Sequence, residues 1–213
     1  MAELGVLINN VVILPQYKFV MFCIPKAANS SIKAAILHTL GYGENLGQMI
    51  NHRHKALNIS SPKKVFNNYM QHFKAVIVRN PFDRLVSCFE SKIKVPAYCS
   101  TRGFARHGFH TDMNFKQYIE KVKEVPFGNY HYEPQYPSLV HDGCFLPDYV
   151  GKFENLRYAW NNIRYLCGID FKSLPHIHKS PRRRPYREYY NKYTRVSVER
   201  MFADDLEKFG YEF

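Results

Sequence analysis

Two short segments place basic and hydroxyl side chains where a predicted strand passes into a predicted helix. Residues 24–33 read IPKAANSSIK, and residues 78–87 read VRNPFDRLVS. The backbone N–H groups at the start of a helix have no partner within the helix, and the helix dipole is positive there, so such a junction attracts anions. Two such junctions in one chain predict a ligand that carries two separated phosphate-type groups.

The elements that must position these segments follow from the spacing of apolar residues. Alternating apolar residues predict strands at residues 17–24, 74–79 and 148–153. Apolar residues at helical spacing, together with capping residues, predict helices at 30–41, 80–93, 114–123, 155–168 and 195–209. Because strands alternate with helices, the pattern predicts an α/β fold with a central parallel sheet flanked by helices.

Length and composition predict one globular domain over residues 1–213. The chain has 213 residues, of which 46% are hydrophobic and 23% are charged, as in folded proteins. The formal net charge is +12. This excess favours an anionic ligand of one of four classes: a nucleotide, an acidic glycan, a nucleic acid or a membrane surface.

The cysteines and the N-terminal region bear on the cellular compartment. The chain has no CxxC motif and an odd number of cysteines, which favours reduced thiols: Cys23, Cys88, Cys99, Cys144 and Cys167. The apolar stretch at residues 6–14 is interrupted by Asn9 and Asn10 and has no basic flank, so neither a signal peptide nor a membrane anchor is predicted. We expect a soluble cytoplasmic protein, or a protein of the Golgi lumen only if the chain was trimmed of an anchor.

The first segment is not a Walker loop, because it lacks the GxxxxGK[ST] pattern. Its ligand would instead meet side-chain donors from Lys26, Ser30, Ser31 and Lys33. In the second segment, Arg79 follows a strand and suits a terminal phosphate, because a guanidinium donates two parallel charge-assisted hydrogen bonds. Ser87 follows two helical turns later. Capped helix starts that carry structural or surface cations are the simpler interpretation of both segments.

Together, the two segments resemble the phosphosulfate-binding and 3′-phosphate-binding segments of sulfotransferases that use 3′-phosphoadenosine-5′-phosphosulfate (PAPS). The likeness is to the carbohydrate sulfotransferase branch (sulfotransferase family 2-like), which includes the chondroitin, dermatan and HNK-1 enzymes and bacterial relatives. Further stretches carry it in the expected order: HYEPQ at 131–135, YVGKFENL at 149–156, HKSPRRRPYREYY at 178–190 and LEKFGYEF at 206–213. The resemblance implies a P-loop-like three-layer fold and PAPS-dependent O-sulfotransferase activity.

The resemblance also implies roles for single residues. Lys26 would contact the 5′-phosphosulfate and stabilise charge on the bridging oxygen. The rest of its loop would bind the donor through Pro25, Ala27, Ala28, Asn29, Ser30 and Ser31. Arg79 and Ser87 would hold the 3′-phosphate. The basic tail would close over the nucleotide through Lys179, Ser180 and Arg183. No metal is expected, since the His and Cys spacings show no closed ligand set.

A general base would complete this chemistry. Positioning and charge stabilisation dominate sulfuryl transfer, but the acceptor hydroxyl still loses a proton, and a histidine that takes it would raise the rate by about 10²–10⁴-fold. His52 and His54 lie in NHRHK, and a similar His-x-His in some heparan-type relatives favours His54. His131 in HYEPQ is the competing base, unless it has a structural role. Glu154 is interpreted as an ordering partner for a cation.

The predicted function is transfer of a sulfuryl group from PAPS to a hydroxyl, with a carbohydrate as the expected acceptor. The irregular residues 95–146 are expected to form the acceptor side, because aromatic rings stack on sugars, although the same rings would also pack a core. A kinase-like enzyme is disfavoured by the missing Walker glycines. A non-catalytic basic module that binds sulfated glycans or nucleic acid stays open. No nucleic-acid-reading motif is present, so a nucleotide donor and a glycan are the expected partners.

Overall fold

The computed structural model describes residues 10–42, 54–175, 177 and 184–213, and only the backbone of Arg102. Its strands are β1 Val11–Leu14, β2 Phe19–Phe22, β3 Ile59–Ser60, β4 Phe73–Val78, β5 Val140–His141, β6 Cys144–Phe145 and β7 Tyr149–Lys152. Its helices are α1 Asn29–Thr39, α2 Pro62–Asn68, α3 Pro81–Cys88, α4 Pro96–Cys99, α5 Arg102–Ala105, α6 Phe115–Glu124, α7 Leu156–Cys167, α8 Lys192–Met201 and α9 Ala203–Phe209. Each predicted strand and helix is found, within a few residues at its ends.

The main sheet has the strand order β3-β1-β2-β4-β7. Strands β2, β4 and β7 run parallel, with Met21 opposite Ala75 and Val76 opposite Val150. Strand β1 pairs antiparallel with both β2 and β3. The α/β prediction is therefore confirmed. The sheet is mixed, however: β2, β4 and β7 form the predicted parallel part, and β1 and β3 add an antiparallel edge that was not predicted.

The described chain forms two compact units, each with its own apolar core. The sheet unit comprises described residues of 10–78 and 137–177, and the helical unit comprises those of 79–136 and 184–213. A single domain over residues 1–213 stays a prediction. In the described part of the chain, no helix has both the length and the apolarity needed to cross a membrane.

The core of the sheet unit explains why the central strands read as nearly continuous apolar runs. Both faces of β2 and β4 are buried, as is usual for parallel strands. One face packs with α1 and α7 through Ile32, Ile36, Trp160 and Ile163. Helix α7 approaches β7 closely, since a Cβ placed on Gly151 would lie 2.6 Å from the Cβ of Ala159. The glycine of the YVGKFENL stretch therefore serves strand–helix packing.

The helical unit has an aromatic core, to which α3, α6 and α8 contribute. Helix α3 continues beyond Cys88 as a π-helical segment, Phe89–Ile93. The amphipathic stripe predicted at 195–209 is divided between α8 and α9. Phe202 departs from helical geometry between them (φ −116°, ψ 27°), and its ring is buried in the core. The break starts a new helix at Ala203, whose first turn carries the buried Asp205.

Candidate functional site

The Lys26 loop, residues 23–28, connects β2 to α1 in the sheet unit. Lys26 and Ala28 both have left-handed backbone angles, with φ of 69° and 63°. Such angles cost on the order of 1–3 kcal/mol in residues other than glycine, and they persist where the surrounding structure holds them. Here Ala27 is fully buried, and its N–H donates to the Ile24 carbonyl at 3.2 Å. The loop thus makes a sharp turn without Walker glycines.

Helix α1 begins without a side-chain cap. The N–H groups of its first turn therefore have no capping side chain as an acceptor. They face the end of the Lys26 loop, as in anion sites at helix N-termini. Ser30 is half-buried and Ser31 is buried. The Asn29 Oδ1 atom is buried and has no hydrogen-bond partner among the described residues. The structure brings residues 25–31 together in an arrangement that suits a negatively charged ligand.

The predicted ligand contact of Lys33 is wrong. Its side chain is fully buried, and Nζ donates to Oδ1 of Asn10. Asn10 in turn donates to the Cys23 carbonyl, at the start of the Lys26 loop. Burial lowers the pKa of Lys33, while the nearby Cys23 thiol raises it. Lys33 faces the interior because its position on α1 is turned toward the sheet. Through Asn10, it supports the start of the Lys26 loop.

The second predicted segment lies in the helical unit, at the start of α3. Asn80 caps this helix as predicted, with Oδ1 accepting from the Phe82 N–H at 3.0 Å. The Arg79 side chain is buried, and its Nε and Nη2 atoms donate to Oδ2 of Asp83 at 2.9 and 2.7 Å. Ser87, also buried, follows Asp83 by one turn and shares its face of the helix. Asp83 therefore orients the guanidinium toward the side of α3 that carries Ser87.

A buried amide fixes the backbone of Arg79. Gln135, of the HYEPQ stretch, accepts from the Arg79 N–H at 3.0 Å and donates to the Arg79 carbonyl at 2.9 Å. The Asp205 carboxylate accepts from the backbone N–H groups of Gln135 and Tyr136, at 2.6–2.9 Å, and from Nε2 of Gln135 at 3.0 Å. Gln135 and Asp205 are 70 residues apart in the sequence, so no local signal predicts their contact.

Arg84 supports the same stretch from α3. It is 1% exposed, and its two terminal nitrogens donate to the carbonyls of Glu133, at 2.6 Å, and Tyr130, at 3.1 Å. Burial lowers the pKa of Arg84, and the nearby Asp205 and Glu133 carboxylates act in the opposite direction. Residues 130–136 are thus held in place by a buried cation and a buried anion.

Burial raises the pKa of the Glu133 carboxyl to about 7, and the positive charge of Arg84 opposes this rise. Its Oε1 atom has no hydrogen-bond partner among the described residues. Because the pKa is higher in the folded than in the unfolded chain, the folded state holds its proton more tightly. The free energy of unfolding should therefore fall as pH rises from about 4.5 to about 7.

Replacement of Glu133 by Gln should remove this pH dependence, whose size is on the order of 3 kcal/mol. The measurement is urea unfolding of the native protein and the variant at intervals from pH 4.5 to pH 8. Glu120→Gln, at a position of α6 where the side chain is 41% exposed, is the matched control and should keep the native slope. Parallel curves for the native protein and Glu133→Gln would contradict the assignment.

The candidate bases differ in their surroundings. His54 accepts a hydrogen bond at Nδ1 from the Ala56 N–H at 3.3 Å, and its ring meets the ring of Tyr42 edge-on. In His131, Nδ1 lies 2.9 Å from Oδ1 of Asn129. Glu154 is exposed, and its role as an ordering partner stays a prediction. Other predicted site residues lie outside the described residues: His52, Lys179, Ser180 and Arg183.

Half of the Phe and Tyr rings in residues 95–146, the predicted acceptor side, pack in the core of the helical unit. The buried rings include Phe104, Phe109, Tyr118 and Tyr132. Tyr98 and Tyr130 are exposed instead, at 46% and 44%. Lys92 Nζ lies 3.6 Å from the centre of the Tyr98 ring. Among the described residues, no group of three or more His, Cys, Asp or Glu side chains is arranged to hold a metal ion.

Comparison with known proteins gives a match to the model of the sulfotransferase family over residues 9–212. Two similar relatives are carbohydrate sulfotransferase 11 of Mus musculus and of Rattus norvegicus, each 25% identical over an alignment of 207 residues. The alignments cover 82% of this chain and 58% of each relative, so the chain spans little more than half the length of these proteins. No solved structure matches the chain significantly.

Proposed function

Because this chain belongs to the sulfotransferase family, we propose that it transfers the sulfuryl group of PAPS to a hydroxyl of a carbohydrate acceptor. The family match over residues 9–212 is the observation that carries the reaction class. The names of the two relatives support a carbohydrate as the acceptor class. A cytoplasmic location and the absence of nucleic-acid partners stay predictions from the sequence.

The Lys26 loop supports the donor half of this proposal. We assign the 5′-phosphosulfate to the uncapped start of α1, which directly follows the Lys26 loop. In the reaction, the acceptor oxygen forms a bond to sulfur, while the bond from sulfur to the bridging phosphate oxygen breaks. Negative charge develops on that bridging oxygen. A lysine and several N–H groups directed at it lower the barrier, because they need no reorganisation as the charge appears.

Arg79 supports recognition of the 3′-phosphate. A guanidinium that is already oriented by Asp83 loses little freedom when it binds a phosphate. Gln135 holds the backbone of Arg79 on both its N–H and its carbonyl, which keeps the position of the side chain defined. We assign the 3′-phosphate to Arg79, with Ser87 as the hydroxyl partner one turn beyond Asp83.

The test is calorimetric titration with 3′-phosphoadenosine-5′-phosphate (PAP), beside 5′-AMP and ATP. We expect saturable binding with a preference for PAP over 5′-AMP. Arg79→Ala should lower PAP affinity by about 10–100-fold, because a charged hydrogen-bonding partner is lost. Affinity for 5′-AMP should stay unchanged, since this nucleotide has no 3′-phosphate and reports on the integrity of the rest of the site.

Arg157→Ala, at an exposed position of α7, is the control and should bind PAP normally. Asp83→Asn separates the loss of the guanidinium from the loss of its ion pair, because it leaves Arg79 in place. Equal affinities of the native protein for PAP and 5′-AMP would contradict the proposed donor. Salt-sensitive binding to heparin without nucleotide binding would favour a polyanion-binding module instead.

A further inference from the structure

Lys33 is a cation that the sheet unit buries without a counter-ion. It lies on α1, four residues after the helix begins at Asn29, and its side chain is fully buried. Its Nζ atom donates to Oδ1 of Asn10, which is a neutral group. In the part of the chain that the structure describes, no carboxylate forms an ion pair with it. Such a charge is costly to bury, because it has lost its hydration and gained no opposite charge.

Asn10 connects this cation to the backbone of the Lys26 loop. Its Nδ2 atom donates to the Cys23 carbonyl, and its own backbone carbonyl accepts from the Cys23 N–H at 3.1 Å. An ammonium can only donate and a carbonyl can only accept, so the oxygen and nitrogen of this amide cannot be exchanged. Cys23 is the first residue of the loop, and α1 begins directly after the last. One side-chain amide therefore separates Nζ of Lys33 from the loop backbone.

The titratable group nearest to Lys33 does not neutralise it. Among the described side chains, only the Cys23 thiol influences the pKa of Lys33 through its charge, and it opposes the lowering that burial causes. Burial raises the pKa of this thiol to about 11, so the thiol is neutral at physiological pH. An anion bound at the uncapped start of α1 would supply the missing negative charge and would favour the ammonium form of Lys33.

We propose that Lys33 attracts the 5′-phosphosulfate of the donor from beneath the Lys26 loop without touching it, and that Asn10 couples this charge to the loop backbone. The proposal rests on the proposed function, and it makes Lys33 a positioning residue. The free protein bears the cost of burying the ammonium, and the charge of the bound donor offsets that cost. Because Lys33 is shielded from solvent, salt screens this attraction less than it screens an attraction between exposed charges.

The first experiment separates the charge of Lys33 from its hydrogen bond. Lys33→Gln keeps an N–H donor for Asn10 but removes the charge. We expect it to bind 5′-AMP about 10-fold more weakly, the effect of one charge at short range in a medium of intermediate dielectric constant. Binding of 3′-AMP, which has no 5′-phosphate, should not change. Lys63→Gln removes an exposed lysine of α2 and should bind both nucleotides as the native protein does. Native affinity of Lys33→Gln for 5′-AMP would overturn the proposal.

The second experiment tests the charge in the native protein, by calorimetric titration with 5′-AMP from pH 7.5 to pH 9.5 in two buffers of different ionisation enthalpy. Because burial lowers the pKa of Lys33, binding should take up protons at the upper end of this range, and affinity should fall by about 3–10-fold. Lys33→Arg keeps its charge throughout, so it should show less proton uptake and a flatter profile.

A residue that only supports the loop would give the native protein and Lys33→Arg the same pH profile. Equal profiles, or the absence of proton uptake by the native protein, would therefore overturn the proposal. Thermal unfolding of each variant shows whether it is folded, and the native measurement depends on no variant. A native protein without a preference for PAP over 5′-AMP would instead contradict the proposed function, so the two failures are distinguishable.

Discussion

Replacement of Lys26 by Ala should lower turnover by about 10²–10³-fold, the loss typical of removing one group that stabilises charge in the transition state. Lys26 belongs to the loop that leads into the uncapped start of α1, where the charge of the transferring group is expected to develop. Alanine keeps the Cβ atom, so the left-handed backbone at this position experiences the same strain in both proteins. The variant should therefore fold normally and lose the cation only.

The measurement is kcat for PAP release from PAPS, with PAP affinity and thermal unfolding recorded for the same protein samples. Lys26→Arg should recover part of the activity, because it restores the positive charge with a different shape. Lys63→Ala, an exposed lysine of α2 in the same unit, should behave as the native protein. Turnover within a few-fold of native for Lys26→Ala would remove this residue from the reaction.

The central elements could be predicted because their signals are local. Strands β2, β4 and β7 carry runs of apolar residues, and Asn80-Pro81 at the start of α3 is a strong capping signal. Strand β1 was missed because four apolar residues do not show whether they pair, or with which partner. The chain reverses between β1 and β2 through a short helical turn, Pro15–Tyr17, with Lys18 in the left-handed region.

The site was predictable as a set of segments, but its internal contacts were not. A lysine one position after Ile32 on an amphipathic helix is usually solvated, so nothing local indicated that Lys33 is buried against Asn10. Gln135 and Asp205 meet through the fold, across 70 residues of sequence. The spacing of histidines gave candidates for the base. The contacts of these rings with Asn129 and with the Ala56 N–H are seen only in the structure.

Replacement of Asp205 by Ala should lower the free energy of unfolding by about 3–5 kcal/mol, as expected when one member of a buried charged network is removed. The fully buried carboxylate accepts from the backbone N–H groups of Gln135 and Tyr136. Without it, these donors stay buried without their acceptor, and Arg84 loses a nearby negative charge. Burial raises the pKa of Asp205, and its hydrogen bonds oppose the rise.

Asp204 provides a matched control, because it is the preceding residue in the first turn of α9 and is exposed. Asp204→Ala should cost only about 0.3–1 kcal/mol, the contribution of an exposed acid at a helix N-terminus. Denaturant unfolding of both variants gives the comparison, and equal losses would contradict a special role for Asp205. Because Asp205 holds Gln135, and Gln135 holds the backbone of Arg79, PAP affinity measured on folded Asp205→Ala protein should fall as well, while Asp204→Ala should leave it unchanged.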